Sequence, residues 1–171
     1  MGKMVEVGKL DDGTYGFALV SPAGELVKLH DFIFGPQMAV KSSAGLTSST
    51  SYTNLDDGAG PTLTGVAIGE LGRAIVTLTA YIEPEPGNQA FMGVEIRNTD
   101  TNALVRSPVD LDSLSLGGGD AIQLIGPVGR SSVEIFVEGL PKGRYTFTAK
   151  YRALSGGTHL FANRVVKVQP Y

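Results

Sequence analysis

The stretch from Gly143 to Tyr171 constrains the fold more than any other part of this chain. Tyr145, Phe147, Ala149 and Tyr151 alternate with Arg144, Thr146, Thr148 and Lys150, the period-two pattern of a strand with one buried face. Ser155-Gly156-Gly157 supplies residues that tolerate positive φ, which predicts a hairpin turn. The returning run, Thr158 to Val168, sets Leu160, Ala162, Val166 and Val168 on one face, with Arg164 interrupting it.

Similar runs recur at short intervals: Thr14 to Val20, Glu25 to Leu29, Ser51 to Leu55, Thr62 to Ile68, Arg73 to Ile82, Ala90 to Arg97, Ala103 to Arg106, Ala121 to Ile125, Ser131 to Val137, Arg144 to Tyr151 and Leu160 to Val168. Turn words separate them, among them Asp11-Asp12-Gly13, Pro22-Ala23-Gly24 and Glu83-Pro84-Glu85-Pro86-Gly87. No window sustains a helical period, and the 23 glycines and 9 prolines break almost every candidate. The pattern predicts an all-β chain, a jelly-roll or immunoglobulin-like β-sandwich preceded by an N-terminal β-hairpin attachment segment. Leu-Asp-Asp-Gly occurs at 10–13 and again at 55–58 with unrelated flanks, so it is reused turn chemistry and not a repeat.

A composition shift sets the expected domain limits. Lys41 to Thr53 is rich in Ser and Thr and poor in large apolar residues, which reads as a linker or as a polar strand crossing between subunits. The expected organisation is an attachment and oligomerisation segment over 1–40, a linker over 41–61 and the sandwich over 62–171. The first segment carries one hairpin and the cluster Phe32, Ile33 and Phe34, too little for a core of its own. That cluster is the expected interface, and a homotrimer the expected assembly.

Two pieces of the chain resemble a known group. Phe161-Ala162-Asn163-Arg164 with the terminal Val-Gln-Pro-Tyr, and the opening Gly8-Lys9-Leu10-Asp11-Asp12-Gly13-Thr14-Tyr15-Gly16 through Val27, are similar to the closing and leading hairpins of β-sandwich modules in minor tail and related virion surface proteins of tailed bacteriophages that infect actinobacteria. The resemblance implies a non-enzymatic structural protein of the virion, made in the host bacterial cytoplasm. Its implied partners are other virion proteins of the tail or capsid and a host cell-surface glycan. Capsid decoration protein or head fibre is the alternative within that class; a carbohydrate-binding module is the alternative outside it.

Composition excludes several other classes. A net charge of -3 with 14 scattered basic residues does not suit a sequence-independent nucleic-acid binder. No run approaches the roughly 18 apolar residues of a membrane span, so no membrane insertion is expected. Without cysteine there is neither a disulfide framework nor a thiolate metal site. For catalysis, His30 and His159 lack a nucleophile elbow and read as surface or loop residues. Glu83 and Glu85 sit in a Pro-rich turn with nothing to separate their pKa values. Asp110, Asp112 and Asp120 offer oxygen ligands for a hard cation, but the loop lacks the EF-hand glycine and closing Glu, so an Asp-capped turn is the better reading. No cofactor and no catalytic residue are expected.

Overall fold

The computed structural model describes residues 36–118 and 128–171 with their side chains, together with the backbone of three strands before them. Those three, β1 (Val5–Lys9), β2 (Tyr15–Val20) and β3 (Leu26–Lys28), form an antiparallel sheet in the order β1-β2-β3. The expected hairpin is thus β2 and β3, and Val5–Lys9 adds a strand that the sequence reading left out. Phe32, Ile33 and Phe34, His30, Asp120 and the expected strand Ala121 to Ile125 lie outside the described residues.

The remaining strands make two sheets packed face to face. The front sheet has the order β11-β7-β13-β4, from β4 (Gln37–Lys41), β7 (Ala74–Glu83), β11 (Gly129–Val137) and β13 (His159–Pro170), with β5 (Gly45–Thr47) also paired to β13. The back sheet has the order β10-β8-β12-β6, from β6 (Thr62–Ile68), β8 (Gln89–Asn98), β10 (Leu114–Gly117) and β12 (Gly143–Ala153), with β9 (Leu104–Arg106) also on β8. Apart from the run β8-β9-β10, each step from β5 onward crosses from one sheet to the other. Four positions per sheet wound in this way define a jelly roll; an immunoglobulin fold would pair consecutive strands within a sheet. The turn at Ser155-Gly156-Gly157 accordingly bridges the two sheets and does not close a hairpin.

The core is the inward set of both sheets, with Leu78, Ile82, Ile96, Phe147 and Phe161 fully buried. Tyr151 meets Phe161 with ring centroids 4.9 Å apart at 58°, a tilted pairing that adds to area burial. Along β13 the register slips between Ala162 and Val165, where Asn163 adopts φ 50. This bulge inserts one residue and reverses the phase of the strand. His159 and Phe161 point inward before it; Arg164, Val166 and Val168 point inward after it. The single face expected from Leu160 to Val168 is therefore two half-faces, and Leu160 and Ala162 lie on the outward one.

Residues 41–61 are part of the sandwich and not a linker. Val40 and Lys41 of β4 pair with Val165 and Arg164, Leu46 of β5 pairs with Leu160, and Leu55 is a core residue. The expected strand Ser51 to Leu55 is reduced to isolated bridges, Thr53 with Tyr151 and Leu55 with Gly58. Small polar residues serve here because the segment runs across the sheets and bonds through its backbone.

Candidate functional site

The most buried charge in the described residues is Arg164, whose side chain is 0% exposed. Its Nη1 donates to Asp57 Oδ1 at 3.1 Å and its Nη2 to Asp57 Oδ2 at 2.6 Å, a two-pronged pair. Nη2 also reaches the Ser43 carbonyl at 2.9 Å. Lys41 Nζ closes the cluster from β4, 3.1 Å from Asp57 Oδ2 and bonded to the carbonyls of Asp57 and Ala59. Arg164 holds the Asp57 carboxyl well below the usual carboxylate range, against the opposing effect of burial, with Ser43 and Lys41 assisting. Gly45 makes the approach feasible, since a Cβ there would meet Asp57 Oδ1 at 2.5 Å. The Arg164 bonds tie 41–61 to β13, and those of Lys41 and Ser43 fix the segment on itself, which is a structural role.

The outer face of the back sheet is covered by two loops meeting over Gly93. A Cβ at Gly93 would lie 2.7 Å from Pro108 Cβ and from Ser113 Oγ, and 3.0 Å from the Tyr52 ring. Tyr52 Oη donates to Asp110 Oδ1 at 3.0 Å and lies 2.7 Å from Ser113 Oγ. Burial pushes the Tyr52 phenol up; its Ser113 bond opposes that and Asp110 adds to it. Arg152 spans the Phe91 and Tyr52 rings at 4.9 and 5.8 Å from their centroids and donates to Asp110 Oδ2 at 2.7 Å. Asp112 is paired with Arg106. Both described members of the candidate cation set are thus engaged by arginine, and no group of three metal-ligating side chains occurs among the described residues.

At one end of the front sheet a groove of about 490 Å³ opens between the loop Glu83–Pro86 and the turn before β13, lined by Leu46, Leu160, Pro84 and Pro86 among others. Glu85 and Asn88 close a turn through Asn88 N–H to Glu85 O at 3.0 Å, with Gly87 at φ 75 in the position that requires it. The Glu85 amide donates to His159 Nδ1 at 3.2 Å, which makes Nδ1 the acceptor and leaves Nε2–H to donate to the Gly156 carbonyl at 3.1 Å. Thr158 N–H donates to Glu85 Oε2 at 3.0 Å. His159 is fully buried, which corrects its reading as a surface or loop residue. It acts as a tie between two loops, and its only route to that inward position is the odd phase it shares with Phe161 ahead of the bulge.

The outer face of the front sheet is different in kind. Register places Val40 beside Val165 and Met38 beside Lys167 on β13, and Ile75 of β7 beside Phe136 of β11. Met38 is 62% exposed, Val40 57%, Phe136 62% and Leu46 40%. Among the described residues nothing covers them. Sequence reasoning placed the interface on Phe32, Ile33 and Phe34 and missed this face. The available signal was Phe136, which falls on the polar phase of β11 between Ile135 and Val137.

No family model matches the chain, and no curated protein matches it. Among solved structures it is similar to infectious bursal disease virus, Gt strain, at 9% identity and a TM-score of 0.46, covering 98% of this chain and 43% of that one. It is similar to the tumour necrosis factor Eiger of S. frugiperda at 9% identity and a TM-score of 0.40, covering 80% of this chain and 92% of that one. It is also similar to the CBM22-1 xylan-binding domain of Paenibacillus barcinonensis Xyn10C at 10% identity and a TM-score of 0.34, covering 81% and 88%. These similarities are too distant to carry a function. The strand order itself defines the class of the chain, a jelly-roll β-sandwich.

Proposed function

We propose that this chain is a non-enzymatic structural protein of a tailed-phage virion, a minor tail component that packs against other virion proteins and faces the host surface. The observation that carries the assembly role is the uncovered apolar outer face of the front sheet, with Met38, Val40 and Phe136 all more than half exposed. Met38 and Val40 stand together on β4 with Val165 beside Val40, and an apolar cluster of this kind marks protein contacts. The phage origin rests on the resemblance of the leading and closing sequences. Against catalysis stand the engaged groups: His159 spends both ring nitrogens on backbone partners, and Glu85 and Asp110 are each held in hydrogen bonds. Mass spectrometry and a reconstruction of intact particles test the reading. The chain is expected at a fixed copy number on the tail, and its absence from purified virions overturns the proposal. Hydrolysis of a cell-wall polymer, lost on Glu83→Gln, Glu85→Gln or His159→Ala, overturns the non-enzymatic part.

A second reading, glycan binding, is favoured by the end groove, whose volume falls within the range of small-ligand sites. Its apolar wall of Leu46, Leu160 and prolines beside the exposed Glu83 would suit one or two sugar rings. A glycan array on the purified protein, with Leu160→Asp as the loss-of-binding variant, tests it.

A further inference from the structure

The outer edge of β11 is built to pair with itself. This strand is bonded to β7 in unbroken register from Gly129 opposite Ile82 to Val137 opposite Ala74, and among the described residues no strand lies on its other side. A free edge of nine residues is a template for another strand, and proteins usually blunt such edges with proline, lysine or a bulge. β11 has no proline, lysine or bulge, and the charges it does carry, Arg130 and Glu134, are of opposite sign and so can pair across a contact.

The exposed positions of this edge are palindromic in chemistry. Val128, Arg130, Ser132, Glu134 and Phe136 share the outward face, with Val128 and Phe136 among the exposed large hydrophobics. We propose that two copies of this chain join through their β11 edges, antiparallel about a two-fold axis at Ser132. In that register Arg130 lies opposite Glu134 of the partner subunit, and the same pair repeats across the axis. Val128 lies opposite Phe136 of the partner subunit, so both apolar side chains gain cover. Shifting the axis to Val133 would set Arg130 against phenylalanine and Ser132 against glutamate. Shifting it to Ser131 would set Arg130 against serine and leave Glu134 facing Val128. Directly opposed unlike charges stabilise a cross-strand pair and like charges destabilise it, so charge selects the Ser132 axis. The contact is isologous, which closes at two copies and limits the edge-to-edge growth a free strand invites. It extends the front sheet across the axis and holds whether or not the chain belongs to a virion.

The absence of cysteine makes the register directly readable. The full-length chain with Ser132→Cys carries one thiol at the axis, where opposed Cα atoms come to about 5 Å, within disulfide range. Mild oxidation is expected to give a covalent dimer on a non-reducing gel from Ser132→Cys and not from Val133→Cys. Light scattering on the uncoupled chain adds the energetic test. Arg130→Glu and Glu134→Arg are each expected to weaken association about tenfold or more, and the double charge swap to restore it. Both residues are exposed, so an unchanged Tm confirms that the variants fold. A Val133→Cys dimer, no Ser132→Cys dimer, or a double swap as weak as the single variants each overturns the proposal.

Discussion

Removing the carboxylate of Asp57 should destabilise the sandwich far more than its place in a loop suggests. Asp57→Ala deletes two charge-assisted bonds, at 3.1 and 2.6 Å, and leaves the fully buried Arg164 guanidinium with Ser43 as its remaining hydrogen-bond partner. Stranding one partner of a buried pair costs about 3–5 kcal/mol. Asp57 retains 18% side-chain exposure, so water can follow into its place and the lower end, about 3 kcal/mol, applies. For a chain of this length that lowers Tm by about 6–12 °C. Arg164→Met in the same background removes the stranded charge, and the double variant should recover at least about 2 kcal/mol relative to additivity. Because Asp57 titrates below its unfolded value, its stabilisation is present above about pH 4 and is lost as pH falls through the depressed folded pKa. The wild-type stability curve should therefore fall more steeply below pH 4 than that of Asp57→Ala. Urea unfolding followed by far-ultraviolet circular dichroism measures both quantities. A cost under about 1 kcal/mol, or strict additivity with Arg164→Met, would refute the reasoning.

Deleting residues 1–35 should leave a cooperatively folding sandwich, whereas deleting 1–40 removes β4 and its ladder to Val165–Val168 and should lower Tm sharply; equal Tm values for the two truncations would show that β4 contributes nothing. Gly157→Ala should cost about 1–3 kcal/mol, because φ is +81 and an added Cβ would collide with the Glu85 carboxylate; a neutral result by thermal melt would mean that the two loops are not in contact. Millimolar calcium or a chelator should leave Tm unchanged, since Arg152 and Arg106 already engage Asp110 and Asp112; a calcium-dependent rise of several degrees would reassign that loop.

The long strands were legible because most residues of each alternate or run apolar between turn words: β6 runs over Thr62–Ile68 as the alternation predicts, and β7, β8, β11, β12 and β13 differ by one or two residues at their ends. What was not legible has particular causes. β4 and β5 are short edge elements whose outward residues, Met38, Val40 and Leu46, are apolar, so Gln37–Lys41 shows no amphipathic alternation. Arg164 looked like an interruption and His159 like a surface or loop residue because one residue, Asn163, shifts the phase between them. Their partners, Asp57 and the Glu85 amide, are more than seventy residues away in sequence, and no local pattern reports such a distance.

The two outer faces of the sandwich are built differently at their centres. On the back sheet, Gly93 is bare so that Tyr52, Pro108 and Ser113 can close over it, and Arg152 is spent between two rings and Asp110. Tyr52 is held by partners within the chain, so its polar substitution should unsettle folding, while Leu111 and Val109 of the covering loop stay exposed. The front sheet keeps Phe136 uncovered on one edge strand and Met38 and Val40 on the other, with Lys167 and Thr77 between them, and its end groove opens beside Leu46 and Leu160. Substituting aspartate for Met38 or Phe136 removes no buried contact, so it should leave folding intact and reduce only association. Contacts through the front face and contacts through the β11 edge lie at right angles, one stacking layers and the other extending a sheet. Because the β11 contact closes at two copies, a chain that offers both is expected to pair edge to edge and to meet further partners through the front face of each pair.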